Sequence, residues 1–317
     1  MNERTWEFTT PDERISTTSG PNSHVKAFLP LLLLTLPLLS GCASTIHPDV
    51  MASFYPIEFL AKQIAGDDVT VGVVVKPGTE PHEYEPTTGD MERVAEAKLV
   101  LLQGMNFEAW SNAARGENKG TPFVVVTDGI EPRANPDEDE IAELPQDPHM
   151  WLDPLLYKEM ALNIEAALAE TFPEHAAAFH ARAQALTVRL DAVNAAWQAG
   201  LANCQVHAIV TNHAAFQYMA ARYGFEMIAI SGLSPEAEPS PQTMQKVVDE
   251  MRERNVTVVF FEDLVSPAVA QAVAREANAE TRVLSPIEGI PSSEAGEDYF
   301  SRMDENLANL RYGMRCQ

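Results

Sequence analysis

Three histidines carry the chemistry that this chain could do. His82 lies in Pro77-Gly78-Thr79-Glu80-Pro81-His82-Glu83-Tyr84-Glu85-Pro86. His149 lies in Asp147-Pro148-His149-Met150-Trp151-Leu152-Asp153-Pro154, and His213 in Val210-Thr211-Asn212-His213-Ala214-Ala215-Phe216. Two directly follow a proline and two follow a β-branched run, so each marks a place where a strand gives way to a loop. Neutral imidazole is the commonest protein ligand for a transition metal. Three of them, far apart in sequence and all at loop mouths, imply one metal site assembled by folding. Hydrolysis at such a site would need an open coordination position and a nearby base, for which Glu83 is on offer beside His82. No His-Glu-x-x-His helix, Gly-x-Ser-x-Gly elbow or phosphate loop accompanies it. The residues point to metal capture, not to an enzyme.

The elements that must position these side chains alternate. In the first half, strands are predicted at 51–56, 69–75, 99–102 and 123–126, with helices at 57–64 and 90–97. Residues 131–147, with Asp137-Glu138-Asp139-Glu140 at the centre, read as a solvated loop. Residues 155–203 form two helices split by Pro173. The second, at 174–202, has Phe179, Ala183, Leu186, Leu190, Val193 and Trp197 near helical spacing. At 1.5 Å per residue it is a spine on the order of 40 Å long. In the second half, strands are predicted at 206–211, 226–230, 256–261 and 281–284, with helices at 216–223, 241–254, 267–277 and 298–310. The predicted fold is α/β: two lobes with mostly parallel sheets joined by one long rigid helix.

In open α/β sheets, ligands bind beyond the carboxyl ends of the strands. His82 and His213 are expected just past strand ends, and His149 on a loop of the first lobe. Glu288 falls just past Val283-Leu284, where it could complete the site as a fourth, oxygen, ligand. Asp153 and Glu262 could orient ligands by accepting an imidazole N–H. Glu80 and Glu83 are expected behind the ligands or in solvent. His175, His180 and His207 lack comparable surroundings, and His24 and His47 lie in the leader and tether. Trp110, Trp151 and Trp197 read as packing residues.

The net charge of the 317 residues is −24. That excludes a nucleic-acid binder, which needs clustered Lys and Arg. The apolar run from Phe28 to Leu39 is too short to span a bilayer, which takes roughly 20 residues. It has the length of a signal-peptide core, with Lys26 just before it. Leu39-Ser40-Gly41-Cys42-Ala43-Ser44 follows and resembles the bacterial lipoprotein cleavage box, whose cysteine becomes the lipidated first residue. Residues 1–24 carry the wrong charge for a signal start, so translation is expected to begin near Val25. Cys204 and Cys316 remain after Cys42, and in a secreted chain such a pair predicts a disulfide.

Lys76 to Thr87 is similar to the first ligand loop of the metal-binding solute-binding proteins of ABC importers, the zinc/manganese cluster. Asp147 to Pro154 resembles their second ligand segment, Asn212 to Tyr218 their third, and Leu284 to Gly289 their fourth. The resemblance covers residues 48–315. It implies that the metal sits in the cleft between the lobes, on His82, His149, His213 and Glu288. It also implies an extracytoplasmic protein that delivers Zn²⁺ to the membrane subunit of an ABC permease. Zinc members of the family supply three histidines, whereas manganese members use two histidines and two carboxylates, so His213 favours zinc. A manganese- or iron-binding member, or a metal-binding adhesin on the same scaffold, is the alternative. The family's longer His-rich loop is absent. The expected organisation is a signal peptide with lipobox over 1–42, a tether over 43–48, an N-terminal lobe over 49–173, a linking helix over 174–203 and a C-terminal lobe over 204–317. The expected mature protein is a monomer held to a lipid membrane through Cys42.

Overall fold

The computed structural model describes residues 47–317 apart from 136–141, 143, 236–238 and 295. The leader, Cys42 and the first part of the tether lie outside the described residues, as does the acidic centre of the 131–147 loop. The first half runs β1 (Val50–Ala52), α1 (Tyr55–Ala65), β2 (Val71–Val73), α2 (Thr88–Glu96), β3 (Leu99–Leu102), α3 (Ser111–Glu117) and β4 (Phe123–Val125). Its four strands pair in the order β2-β1-β3-β4, all parallel. The helices α4 (Pro154–Thr171) and α5 (Ala176–Gly200) follow. The second half runs β5 (Ala208–Thr211), α6 (Gln217–Tyr223), β6 (Glu226–Ala229), α7 (Pro241–Arg254), β7 (Val258–Phe261), α8 (Ala268–Ala277), β8 (Glu280–Val283) and α9 (Tyr299–Gly313). Its sheet has the order β6-β5-β7-β8, again all parallel. Central β3, Leu-Val-Leu-Leu, is buried at every residue, which is what a sheet covered on both faces requires.

The two sheets share one order, so each has a switch point between its first and third strands. Chains leaving those two strands turn to opposite sides and open a crevice there. In the second sheet the crevice lies between the ends of β5 and β7, which are followed by His213 and Glu262.

Helix α5 is 25 residues long, about 37 Å at 1.5 Å per residue. Its buried residues are Phe179, Ala183, Leu186, Leu190, Val193 and Trp197, the periodic set seen in the sequence. It packs on α1 and α4 in the first half and on α9 in the second. Arg182 of α5 donates to the carbonyls of Ile64 and Ala65 at 2.6 and 2.8 Å, satisfying the open end of α1. One core cluster runs from β1 residues through Trp151 and Trp197 to Tyr299 and Leu310 of α9.

Several details differ from expectation: the first strand ends at Ala52, and Tyr55 and Pro56 of the expected 51–56 strand open α1, with proline at the start of the helix where its missing N–H costs nothing. Helix α3 was not anticipated, because only Ala114 in it is buried and no apolar stripe marks it. Strand β2 is shorter than the β-branched run, although Val74 and Val75 still donate to the carbonyls of Ala52 and Ser53. His82 therefore stands well beyond the strand, at the end of a loop that turns at Gly78 with φ +80°. Cys204 and Cys316 are disulfide-bonded, which ties the chain end after α9 to the segment before β5. No helix among the described residues is long and apolar enough to cross a membrane.

Candidate metal centre

Each of the four donors reaches the centre on a differently supported loop. His213 follows β5, where the Thr211 hydroxyl donates to the His213 carbonyl at 2.8 Å and Ala214 N–H donates to Gly232 O at 2.8 Å. His149 opens a 3-10 turn, Met150–Leu152, just before α4. The Gln103 side chain, at the end of β3, donates to Pro148 O at 2.6 Å and fixes that turn. His82 is held by its own backbone N–H, which donates to both carboxylate oxygens of Glu80 at 3.0 Å. Glu288 lies five residues past β8, on a turn gripped from α9.

Folding brings one ligand atom of His82, His149, His213 and Glu288 within 4.8 Å of one another. The Nε2 atoms of His149 and His213 are 3.1 Å apart, and those of His149 and His82 are 3.3 Å apart. Glu288 Oε1 lies 3.2 Å from His82 Nε2, 3.4 Å from His149 Nε2 and 3.5 Å from His213 Nε2. These five spacings of 3.1–3.5 Å gather the four atoms around one point, on the scale of a small tetrahedral site, in which bonds of about 2.0 Å put neighbouring donors about 3.3 Å apart. The side chains of His149 and His213 are fully buried, and those of His82 and Glu288 are 3% and 1% exposed. A cleft of about 670 Å³ reaches the site on the His82 side, past Glu83, Phe107 and Arg115.

The outer ring nitrogens of His149 and His213 have partners as well. His149 Nδ1 lies 2.7 Å from Asp147 Oδ1, and His213 Nδ1 lies 2.7 Å from Glu262 Oε1. An imidazole that gives its Nδ1–H to a carboxylate presents a more basic Nε2 lone pair to the metal. Glu262 does what the sequence suggested for it. Asp153 does not: it caps α4 by accepting from Leu155 N–H and Leu156 N–H, and it pairs with Arg222. Asp147 takes the role expected of Asp153. The signal was available, since Asp147 precedes His149 by two residues, a spacing at which one carboxylate can reach both backbone and ring. Asp147 is held in turn from α6, where Gln217 Nε2 donates to Oδ2 at 2.9 Å and Tyr218 O–H donates to the backbone carbonyl at 2.7 Å.

Burial and charge set the proton states. Burial pushes His82 down to about 4, against the pull of Glu288. Burial acts the same way on His149, but Asp147 and Glu288 outweigh it and raise the ring above its ordinary value. His213 is raised further, because Glu262 and Glu288 both favour its charged form over the cost of burial. Burial alone would protonate Glu288, yet hydrogen bonds from the three imidazoles hold it well below the carboxylate range. Glu80 is pushed up to about 8 by burial and by the neighbouring Glu288. Glu83, the base that hydrolysis would need, is exposed. The other histidines stay apart from the centre: His175 pairs with Asp68 and His180 with Glu165, while His207 is exposed. Phe107 and Trp151, which wall the site at ring-centroid distances of 4.9 Å from His82 and 5.0 Å from His149, carry no motif of their own.

Three imidazoles and one carboxylate converging on one point are a donor set suited to holding a metal. The profile of the family described as zinc-uptake complex component A, periplasmic, matches residues 50–313. The chain belongs to this ZnuA family. Its members are components of zinc-uptake complexes, not enzymes. The chain is 30% identical to the zinc-binding lipoprotein AdcA of Streptococcus pneumoniae, over 90% of this chain and 60% of that protein. It is 29% identical to the high-affinity zinc uptake system protein ZnuA of Bacillus subtilis, over 83% of this chain and 86% of that one. The chain thus spans about 60% of the length of the AdcA relative. Among solved structures, the Zn(II)-bound ZnuA-like domain of Streptococcus pneumoniae AdcA matches with a TM-score of 0.73 at 30% identity, covering 84% of this chain and 98% of that one. The laminin-binding protein Lmb of Streptococcus agalactiae, described as both adhesin and metal transporter, matches with a TM-score of 0.77 at 29% identity, covering 84% and 99%. The ZnuA-like fold of these neighbours is the one seen here, two parallel-sheet lobes with one long helix.

Proposed function

We propose that this chain captures Zn²⁺ outside the cytoplasm on His82, His149, His213 and Glu288 and hands it to the membrane subunit of an ABC-type import permease. The observation that carries this is the convergence of three imidazole nitrogens and one carboxylate oxygen, with five donor spacings of 3.1–3.5 Å, on a scale that suits an ion bonding at about 2.0 Å in tetrahedral geometry. Manganese prefers more oxygen donors and a larger coordination number, which three imidazoles do not supply. The named zinc proteins among the relatives support the same metal.

The mature protein begins at Cys42, whose lipid holds it to the membrane. A tether over 43–48 leads to an N-terminal lobe over 49–173, a linking helix over 174–203 and a C-terminal lobe over 204–317. It acts as a monomer and has no nucleic-acid partner, in keeping with its net charge of −24. The test is metal content by mass spectrometry on untagged protein, followed by competition between Zn²⁺ and Mn²⁺. One tightly held zinc per chain, lost in His213→Ala, is the expected result. A preference for manganese overturns the choice of metal, and no stoichiometric metal overturns the site. The likeness to Lmb adds a second reading, adhesion to laminin, for which direct binding of the zinc-loaded protein to immobilised laminin is the assay.

A further inference from the structure

Ile287, directly before Glu288, has φ +55°, in the left-handed region. For a β-branched residue this is an outlier, because Cβ crowds the neighbouring backbone. Such a conformation persists only where the surroundings over-determine it. Here those surroundings can be named. Ile287 N–H donates to Ser285 Oγ at 3.1 Å. Asn306 of α9 grips Ser285 on both sides, accepting its N–H at 2.8 Å and donating to its carbonyl at 2.7 Å. The Trp151 indole N–H donates to Pro286 O at 2.7 Å. The Ile287 side chain is itself fully buried.

Trp151 comes two residues after His149, and its ring packs against that imidazole. Its own backbone carbonyl accepts from Tyr299 O–H at 2.8 Å. One buried indole therefore packs against one ligand and hydrogen-bonds the turn that carries another. Glu288 Oε1 meets imidazoles, so its position without metal depends on the backbone beneath it. His149 and His213, by contrast, are each braced by a carboxylate.

We propose that Trp151 and Asn306 are positioning residues that hold the left-handed turn at Ile287 and so aim the Glu288 carboxylate at the metal. The inference rests on the four-ligand reading above. Loss of the indole N–H leaves the Pro286 carbonyl buried without a partner, and that cost falls on a turn already strained. The turn relaxes and Glu288 withdraws, while the three histidines stay in place.

The test uses Trp151→Phe and Asn306→Ala, each in the full chain and again in a Glu288→Ala background. Zinc stoichiometry, zinc release to a chelator and the visible spectrum of the Co²⁺-loaded protein are measured. Each single variant is expected to bind one zinc and release it about tenfold faster, as for loss of an outer support. The intense bands of tetrahedral Co²⁺ are expected to weaken. In the Glu288→Ala background the same substitutions are expected to change release by less than about twofold, since the ligand they position is gone. An equal acceleration in both backgrounds, or none in either, overturns the proposal, as it marks a general packing role or no role. Asn306→Ala reaches the turn from α9 and leaves the Trp151 ring in place, so a folding defect in one variant leaves the other decisive. If Glu288→Ala alone releases zinc like the native chain, the fourth-ligand assignment fails, and the positioning proposal falls with it for a different and recognisable reason.

Discussion

Replacing Glu262 by Gln keeps a hydrogen-bond acceptor near His213 Nδ1 but removes the charge 2.7 Å from it. Two effects follow. At neutral pH the Nε2 lone pair is less basic, and affinity for zinc is expected to fall about 10- to 100-fold, or roughly 1.4–2.7 kcal/mol. The second effect is on protons. In the metal-free protein His149 is raised chiefly by Asp147 and His213 chiefly by Glu262, and a metal on Nε2 must displace the proton from a charged ring. His82, lowered to about 4, has none to lose near neutrality. The sign is then set: zinc affinity falls as pH falls through the raised values of His149 and His213. Glu262→Gln removes the main cause that raises His213, so its affinity should fall less steeply with pH, with fewer protons released on binding, and the two curves should converge at acid pH. Glu80 could add a proton to both proteins, but it cancels in the difference. Calorimetry in buffers of different ionisation enthalpy counts the protons directly. Equal proton release from the two proteins, or an unchanged affinity at pH 7.5, would refute the reasoning.

Asp147 and Asp153 should separate cleanly. Asp147→Ala is expected to cost about 10- to 100-fold in zinc affinity, whereas Asp153→Ala should cost about 0.5–2 kcal/mol of stability by loss of the α4 cap, with affinity nearly unchanged by titration. Leu190→Ala, in the buried stripe of α5, should lower stability by about 2–5 kcal/mol in urea unfolding and leave zinc stoichiometry at one. Reducing Cys204–Cys316, which closes a separation of 112 residues, should cost about 2–4 kcal/mol, seen as a lower Tm in the presence of reductant. Cys42→Ala should move the protein from the membrane fraction to the soluble fraction, and an unchanged distribution would argue against the lipid anchor.

Periodicity and local surroundings carried much of this structure. The apolar stripe of α5 is legible because a helix buried on one face must repeat near 3.6 residues, and all six residues of that stripe are buried. Strands such as Leu99–Leu102 and Ala208–Thr211 are legible because a sheet covered on both faces admits only apolar runs. The histidines announce themselves by the prolines and strand ends around them. Helix α3 leaves no such trace, since a surface helix with one buried residue needs no pattern. What the chain order could not supply was distance. That Asp147 and not Asp153 braces His149 depends on which carboxylate the 3-10 turn swings toward the ring. Glu288 stands beside the three imidazoles on a turn that meets an indole 137 positions earlier in the chain and an amide from α9. Local sequence sets which groups are offered and at which loop mouths. Only the packing of two sheets against one helix brings four donors within 4.8 Å of one another.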